Sequence, residues 1–332
     1  MPNSYLPQLA ARALGIYEAH GLDIEIVEPA PGPDNALAAG RGDYDLCMSS
    51  VAYYLWARDE EPALDARFIF AVSRRIHMSV FAVDGRPAAH GRPITSFADL
   101  AGASFALRTE IDPGRRGRLR QMSERHEARL ARDYLALLAH LGLEPGPMVD
   151  VGPRSTLDAC LAGAADVCAE WAELGVGLRA GAAAQGLRIR TLPFADAGIP
   201  GYLNGFVASG DALRRRPEAL ARFVTAAREA LVAVRDDPGP ALALMAEELP
   251  DRDPATVLER WRLGEPAMFG AGEGEVGAMS AAGWEATVAY HVATHGTRAH
   301  DPAGSVDLAP WERAMAGAAE APAGAGRSAR TP

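Results

Sequence analysis

The sequence predicts an α/β protein that is built as two lobes. A unit of helix, glycine turn and apolar strand occurs at 36–50 and again at 157–171. Both copies carry Ala-Gly-x-x-Asp directly before the strand, at 39–43 and 162–166. Each strand ends in polar or aromatic side chains, and ligands of α/β proteins bind at the carboxyl ends of strands. We therefore expect two lobes that face one cleft, with a chance repeat of a common α/β motif as the alternative.

Length and composition agree with two soluble domains. The chain has 332 residues, of which 48% are hydrophobic and 23% charged, and these values are typical of globular proteins with sizeable cores. The net charge of −10 and the pI of about 5.3 disfavour a nucleic acid or an anionic membrane as partner.

The basic residues exclude two classes of enzyme. All 33 are arginines, and the sequence contains no lysine. A pyridoxal Schiff base needs a lysine amine, and so does the phosphate-binding loop of Walker-type nucleotide hydrolases.

The cysteines and the apolar segments carry no sign of a metal centre or a membrane span. Cys47, Cys160 and Cys168 lack metal-ligand spacing and lie in predicted core elements, so we interpret them as structural. No window reaches the roughly 20 apolar residues of a transmembrane helix. The amino terminus as written has no signal peptide, which predicts a cytoplasmic protein, or an extracytoplasmic one (periplasmic or lipid-anchored) if the true start lies upstream.

Apolar periodicity predicts alternating helices and strands in the first part of the chain. Leu6, Leu9, Ala13 and Tyr17 keep helical spacing, and Asp34 is a plausible helix cap. The expected order is helix 5–19, strand 22–27, helix 34–39, strand 44–48, helix 51–56 and strands 68–72 and 79–83.

A Gly/Pro-rich stretch at 84–93 predicts the boundary to the second lobe. We expect a short helix at 97–101, strand 105–107, a polar stretch at 112–127 and a helix to 141. The arginines of the polar stretch alternate with glutamates, which favours a solvated face over a polyanion site. Strand 148–151, helix 157–162 and strand 167–169 follow in this lobe, and strand 188–192 spans its expected end at 190.

The remaining segments predict a return to the first lobe. Strand 203–208 precedes a helix that begins at Pro217, a favoured first helical residue. Further helices are expected at 240–249, 254–263 and 281–293. The composition of 317–332 (Ala, Gly, Pro, Ser and Arg) predicts a disordered tail.

Taken in order, these segments resemble the type II periplasmic-binding-protein fold. Within it they are similar to the NMT1/THI5-like branch, which includes sulfonate- and taurine-type substrate-binding proteins of ABC transporters. The resemblance covers roughly residues 2 to 300. It is carried by Gly-Ile-Tyr-Glu-Ala-His-Gly-Leu-Asp-Ile-Glu-Ile-Val (15–27), segment 36–50, Pro-Ile-Thr-Ser-Phe-Ala-Asp-Leu-Ala-Gly (93–102), and segments 162–171, 198–202, 216–220 and 283–287.

The resemblance implies two lobes, joined by two crossover segments, that close over a small molecule by a hinge motion. We expect lobe one at 1–85 plus 191–316 and lobe two at 86–190. The family begins with an export signal and a strand, whereas this sequence begins at the polar tip Pro2-Asn3. The first strand is therefore expected to be missing.

The resemblance also implies that strand tips line the cleft. Tyr5, Trp171 and Tyr202 could stack on a planar ring, and Arg108 could hold a carboxylate, sulfonate or phosphate in a bidentate pair. The alternatives are a surface arginine, a core Trp171 and a structural His77. The expected ligand-binding residues are Asn3, Tyr5, Asn35, Ser49, Ser50, Arg74, His77, Arg108, Thr109, Glu170, Trp171, Tyr202 and Asn204.

The implied function is capture of a small anionic or heteroaromatic molecule (a sulfonate, an aromatic carboxylate or a thiamine-pyrimidine-like compound) for an ABC importer. Its partners would be that ligand and, if the protein is exported, a permease and an ATPase. We expect a monomer with no catalytic residue, metal or cofactor.

An enzyme on the same fold, with C–S or C–C bond chemistry, is the alternative. Desulfinase relatives resemble the region of Pro2-Asn3 but use a cysteine ahead of it, where this sequence has Met1. Pyrimidine-synthase relatives need a lysine, which is absent. A scaffold protein is disfavoured by the many polar groups expected in one cleft.

Overall fold

The computed structural model describes residues 2–27, 32–110, 114–270, 276–298 and 300–320. Side chains are described for these residues except 2–4 and 318–320. Within this part of the chain the strands are β1 Leu46–Ser50, β2 Ala66–Ser73, β3 Met78–Val83, β4 Phe105–Leu107, β5 Met148–Asp150, β6 Val167–Trp171, β7 Ile189–Pro193 and β8 Asn204–Ser209.

Helices flank the strands throughout the same residues. They are α1 Pro2–Ala13, α2 Ile16–Ala19, α3 Asp34–Arg41, α4 Val51–Glu60, α5 Gly117–Leu141, α6 Thr156–Leu161, α7 Gly175–Ala183, α8 Gly210–Arg215, α9 Pro217–Asp236, α10 Gly239–Glu248, α11 Pro254–Phe269, α12 Ala281–His295 and α13 Ala309–Glu320. Short 3₁₀ helices lie at Phe97–Leu100, Ala172–Leu174, Phe194–Ala197 and Ala303–Ser305.

The strands form two separate sheets. The first has the order β1-β8-β2, and both pairs are antiparallel. The second has the order β5-β4-β6-β3-β7, with β4 parallel to β5 and β6, and with β3 antiparallel to β6 and β7. The chain therefore passes from one sheet to the other twice, between β2 and β3 and between β7 and β8. This confirms the predicted two-lobed α/β architecture with two crossovers.

The crossovers differ from the predicted lobe boundaries. β3 was expected in the first lobe but pairs with β6 and β7 of the second sheet. Strand β7 also belongs there, although most of it was expected beyond the boundary at 190. The Gly/Pro-rich stretch at 84–93 is therefore a loop inside the second lobe. We place the crossovers at 74–77 and 194–203.

The first lobe buries apolar side chains on both faces of its sheet. Ile69, Phe70 and Val72 of β2 pack into a cluster with α1 and α9, while Phe68 and Ala71 pack with α3, α4 and α12. The second lobe has two further clusters, one against α5 and one against α6 and α7. A sheet covered on both sides by helices needs strands that are apolar on both faces, and β2 and β3 have that pattern.

Four local predictions are wrong. The helix expected at 5–19 is divided into α1 and α2 by Gly15, whose positive φ of 64° interrupts the helix. Segment 22–27 is not a strand, because it has no strand partner in the described residues. Residues 117–127 of the expected polar stretch 112–127 form the start of α5. Helix α13 extends through 317–320 of the expected tail, and 321–332 lie outside the described residues.

None of the described helices is long and apolar enough to cross a membrane.

Candidate functional site

A cavity of about 230 Å³ lies where α4 of the first lobe faces β4 and α5 of the second. Most of its lining residues are polar or charged, and five of the eight lining residues belong to α5. The lining residues are Tyr53, Arg108, Arg115, Leu119, Met122, Ser123, His126 and Glu127.

The first-lobe side of the cavity is the start of α4. Ser50 ends β1 in extended conformation, and its hydroxyl accepts a hydrogen bond from the backbone N–H of Tyr53 at 3.2 Å. This N-cap satisfies one of the free N–H groups of the first helical turn. The cap places the Tyr53 ring at the cavity, where burial raises the pKa of its phenol. Tyr53 is therefore a neutral hydrogen-bonding group there.

Two arginines from the second lobe bring positive charge to the cavity. Arg108 follows β4, and its Nε donates to the carbonyl oxygen of Glu110 at 3.0 Å. Its Nη1 lies 3.6 Å from a carboxylate oxygen of Glu127. Arg115 donates from Nη1 to the hydroxyl of Ser123. Among the described residues, one carboxylate pairs with Arg108 and none pairs with Arg115, so both guanidinium groups retain N–H donors that an anion can use.

His126 is held in the cavity wall by two contacts from β6. Its Nε2 lies 3.2 Å from Oε2 of Glu170, whose Oε1 accepts the backbone N–H of Trp171 at 2.9 Å. The imidazole stacks on the Trp171 ring with 6.3 Å between centroids and 21° between planes. Arg129 covers the same indole at 4.4 Å. Glu170 and Trp171 thus fix the orientation of His126.

Glu127 is the carboxyl group among the lining residues. Burial raises its pKa, although His126 and Arg108 act in the opposite direction. The cavity therefore combines two cationic donors with one carboxyl group.

Among the predicted site residues whose side chains are described, Arg108 is the one that lines this cavity. Ser50, Glu170 and Trp171 support lining residues from behind, as described above. Thr109 donates to Asp150 at 2.6 Å beside Arg108. Asn3 lies in α1, and its side chain is outside the described set. Direct ligand contact by these residues stays a prediction.

Several other predicted residues are engaged by the protein itself. Asn35 donates to the carbonyl of Met48 at 2.8 Å, and Ser49 donates to the carbonyl of Ser50 at 3.1 Å. Tyr202 accepts the N–H of Ser280 at 3.0 Å.

Three more lie near the crossovers or away from the cavity. Arg74 donates from Nε to the carbonyl of Ala278 at 3.2 Å. His77 is buried against Glu173 at 3.0 Å, which agrees with a structural histidine. Burial raises the pKa of Tyr5, with Arg252 and Arg260 as its nearest charges.

Asn204 is the exception, because its side-chain amide finds no partner in the part of the chain that the structure describes. It opposes both Ser50 and Ser73 in the first sheet. Its side chain is buried, and neither amide atom has a hydrogen-bond partner among the described residues.

Sequence reasoning missed most of the lining residues. Arg115, Leu119, Met122, Ser123, His126 and Glu127 lie in or beside the stretch interpreted as a solvated polar segment. A helical reading from 117 onward would have put Leu119, Met122, Ser123 and His126 on one face, because their spacings are three and four. This helical face, which mixes apolar and polar side chains, is the feature of the sequence that could have predicted the lining residues.

No group of three or more His, Cys, Asp or Glu side chains suited to a metal ion occurs in the described residues.

Two sheets, two crossovers and a cavity between them define the class of two-lobed periplasmic-binding-protein folds. The putative sulfonate ABC-transporter protein SsuA of Methylobacillus flagellatus KT superposes with a TM-score of 0.61 at 15% identity, over 94% of this chain and 89% of that one. SsuA of Xanthomonas axonopodis pv. citri, bound to MOPS, gives 0.53 at 17% identity over 90% and 92%. The desulfurization enzyme DSZB gives 0.58 at 17% identity over 95% and 97%.

At these identities the likeness shows the fold. The family follows from the sequence itself: the chain belongs to the NMT1/THI5-like family, whose model matches residues 3–241. The resemblance inferred from the motifs is thereby confirmed. A search of curated protein sequences gives no match.

Proposed function

We propose that this protein is a solute-binding protein that captures a small organic anion in the cavity between its lobes. The observation that carries the proposal is the pair Arg108 and Arg115 at a cavity formed by both lobes. Guanidinium groups match the geometry of carboxylates and sulfonates, and they keep their charge at all relevant pH values.

The volume of the cavity and its lining residues limit which ligands can bind. About 230 Å³ is below the usual range of roughly 300–1,000 Å³ for drug-sized ligands, so the ligand is small. Leu119 and Met122 offer apolar surface beside the charged groups. A compact sulfonate or carboxylate with an apolar or aromatic body suits this combination.

The family and its structural relatives support a role in transport. The SsuA proteins are described as sulfonate-binding proteins of ABC transporters. By the same logic this protein would deliver its ligand, as a monomer, to a permease and its ATPase.

An enzymatic role is the second candidate, because the desulfurization enzyme DSZB has the same fold. A thiolate nucleophile would have to come from Cys47, Cys160 or Cys168, and all three are buried. Burial raises the pKa of Cys47 to about 12, and a hydrogen bond with Cys160, together with burial, raises the pKa of Cys168 well above its usual range. None of the three lines the cavity, which favours binding over thiolate chemistry.

The test is a thermal-shift screen of small sulfonates, carboxylates and sulfinates, followed by calorimetry. A ligand at 100 times its Kd should add about 2.7 kcal/mol to the free energy of unfolding. The same screen with Arg108→Ala should lose the shift. If aryl sulfinates instead release sulfite in the presence of the protein, the enzyme reading replaces the binding one.

A further inference from the structure

Helix α5 is buried in only one of its halves. Leu130, Tyr134, Leu137 and Leu138 pack into the core of the second lobe. In the half from 117 to 127, Ser123 is the only buried residue. This half nevertheless supplies five of the residues that line the cavity. It is therefore a cover over the cavity rather than a part of the core.

The covering half is attached to the first lobe by a charged fork. Arg118 donates from Nε to Oδ1 of Asp34 at 2.8 Å, and its two terminal nitrogens reach the two oxygens of Glu60 at 2.8 Å each. Arg118 lowers the pKa of the Glu60 carboxyl, as expected for a bidentate pair. Asp34 begins α3 and Glu60 ends α4, so one side chain ties the cover to two helices.

An aromatic ring completes the attachment. The guanidinium carbon of Arg125 lies 3.7 Å from the centroid of Trp56, and that of Arg118 lies 5.0 Å from it. Trp56 comes from α4 and is 3% exposed. The ring therefore offers a buried face to both cations, although the Arg125 side chain itself is exposed.

The cover also rests on a glycine. A Cβ atom at Gly32 would lie 2.7 Å from the sulfur of Met122, and Gly32 has a positive φ of 58°. The positive φ favours glycine at this position, and a side chain there would press on the flexible end of Met122. Met122 also lines the cavity, so the same side chain contacts the first lobe at Gly32 and forms part of the cavity wall.

We propose that residues 117–127 form a lid over the cavity. The contacts of Arg118 and Arg125 with Trp56, here called the clamp, hold this lid closed. The lid determines which ligand sizes fit and how long a ligand stays bound. The identity of the ligand in this proposal rests on the proposed function, whereas the lid itself does not. The attachment is made mostly of charges that are partly exposed: Arg118 is 23% and Glu60 36% accessible. Partly exposed charges of this kind are screened by salt. Residues 117–127 can therefore detach from the first lobe while the core half of α5 stays folded.

Hydrogen–deuterium exchange of the full chain tests the lid without any ligand. Arg118→Gln and Arg125→Gln should each accelerate exchange in peptides covering 117–127 at least fivefold and leave 130–141 unchanged. Arg118→Lys, which keeps the charge but loses the fork, should fall between. Arg120→Gln is the matched control, because Arg120 pairs with Glu124 inside the helix, and it should behave as wild type.

Benzenesulfonate is the probe for residence time. Stopped-flow fluorescence should show a dissociation rate raised about tenfold by Arg118→Gln, which corresponds to about 1.4 kcal/mol, and unchanged by Arg120→Gln. The lid proposal is overturned if exchange of 117–127 in both clamp variants equals that of the control, or if the probe dissociates at the wild-type rate. If benzenesulfonate does not bind the wild type, the proposed ligand class is wrong. The hydrogen–deuterium exchange result then tests the lid proposal by itself.

Discussion

Asp133 of α5 and His295 of α12 meet at 2.7 Å inside the protein, carboxylate oxygen to imidazole Nε2. The same carboxylate accepts the Tyr290 hydroxyl at 2.8 Å and pairs with Arg129 at 3.0 Å. Nδ1 of His295 lies 2.5 Å from Nδ1 of His291, so the two rings share one hydrogen. Helix α12 packs with the first lobe through Trp284 and Val288, and this polar cluster therefore joins the lobes.

We predict that mild acid loosens this junction. Burial lowers the pKa values of His291 and His295, with Arg129 acting in the same direction and Asp133 in the opposite one. Histidines of the unfolded chain bind protons near pH 6.5. The unfolded state thus binds more protons below that pH, and stability that is fully present above about pH 6.5 is lost as pH falls.

The carboxylate extends the effect to lower pH. Burial alone would raise the pKa of Asp133, but Arg129, His295 and Tyr290 hold it well below its usual range. Its contribution is present above about pH 4 and is lost on further acidification. Chemical denaturation between pH 7.5 and 5.5 should show a total loss of about 1.4 kcal/mol for each histidine, because the slope approaches its full value only below about pH 6.5. His291→Gln should flatten this slope, and the exposed His140→Gln should leave it unchanged; equal slopes in both would contradict the prediction.

The fold was largely predictable from this sequence. The spacing of apolar residues and the positions of glycines indicate most helices, strands and turns without knowledge of long-range contacts. The repeated Ala-Gly-x-x-Asp units correctly predicted β1 and β6 and their preceding helices. The sheet to which β3 belongs was not predictable in this way. Its residues are apolar on both faces, and period alone does not reveal which strands it pairs with.

The site was less predictable, because its wall comes from a charged helix. Arginines and glutamates at 115–127 have the composition of a solvent-exposed face. This segment lines a cavity because its arginines contact Trp56 and Asp34, which lie more than fifty residues away in sequence. The ring of Trp171 contacts His126 and Arg129, and its contact with the ligand stays a prediction. Such long-range contacts leave no periodic trace in the sequence.

Glu173→Ala should be among the most destabilising single changes. Glu173 and His77 form a buried pair at 3.0 Å, with 3% and 1% of their side chains exposed. Burial alone would raise the pKa of Glu173, but the facing His77 lowers it below its usual value. Removing one partner of such a pair costs about 3–5 kcal/mol, while an apolar replacement of both is often tolerated.

Urea denaturation checks this prediction with one double variant. His77→Leu/Glu173→Leu should recover a large part of the loss, because it leaves no unpaired charge next to Gly264 of α11. A loss below about 1 kcal/mol in Glu173→Ala, against the range above, would mean that water reaches the site.

Gly205→Ala should prevent folding of the first lobe. Gly205 lies in β8, the central strand of the first sheet, and a Cβ atom there would lie 1.9 Å from the carbonyl oxygen of Phe70. Neither the backbone of β2 nor the sheet register can move away cheaply. Gly177→Ala is the control, because α7 leaves open space at that position and alanine favours helix by about 1 kcal/mol over glycine. Circular dichroism melting should show the first variant unfolded and the second at or above the wild-type Tm.

Arg108→Ala should weaken binding of an anionic ligand more than any other single change at the cavity. Arg108 is held by the Glu110 carbonyl and lies 3.6 Å from Glu127. Its loss would leave the anion buried beside Glu127, which costs about 2–5 kcal/mol. Calorimetry with benzenesulfonate should show this loss, and Arg108→Lys should recover part of it. Thermal stability should change little, because the side chain is only partly buried.

Trp171→Ala should weaken binding moderately and through His126. Trp171 carries the His126 ring on one side and the Arg129 guanidinium within 4.4 Å, but it is not among the lining residues. Loss of an aromatic pair costs about 0.5–1.5 kcal/mol, so affinity for benzenesulfonate should fall about three- to tenfold. A double-mutant cycle with His126→Ala separates the two possible roles. If Trp171 acts by orienting His126, its removal should cost nothing further once His126 is gone. If Trp171 instead stacks on the ligand itself, the two losses should add, and the indole would then have to leave His126 when the ligand enters.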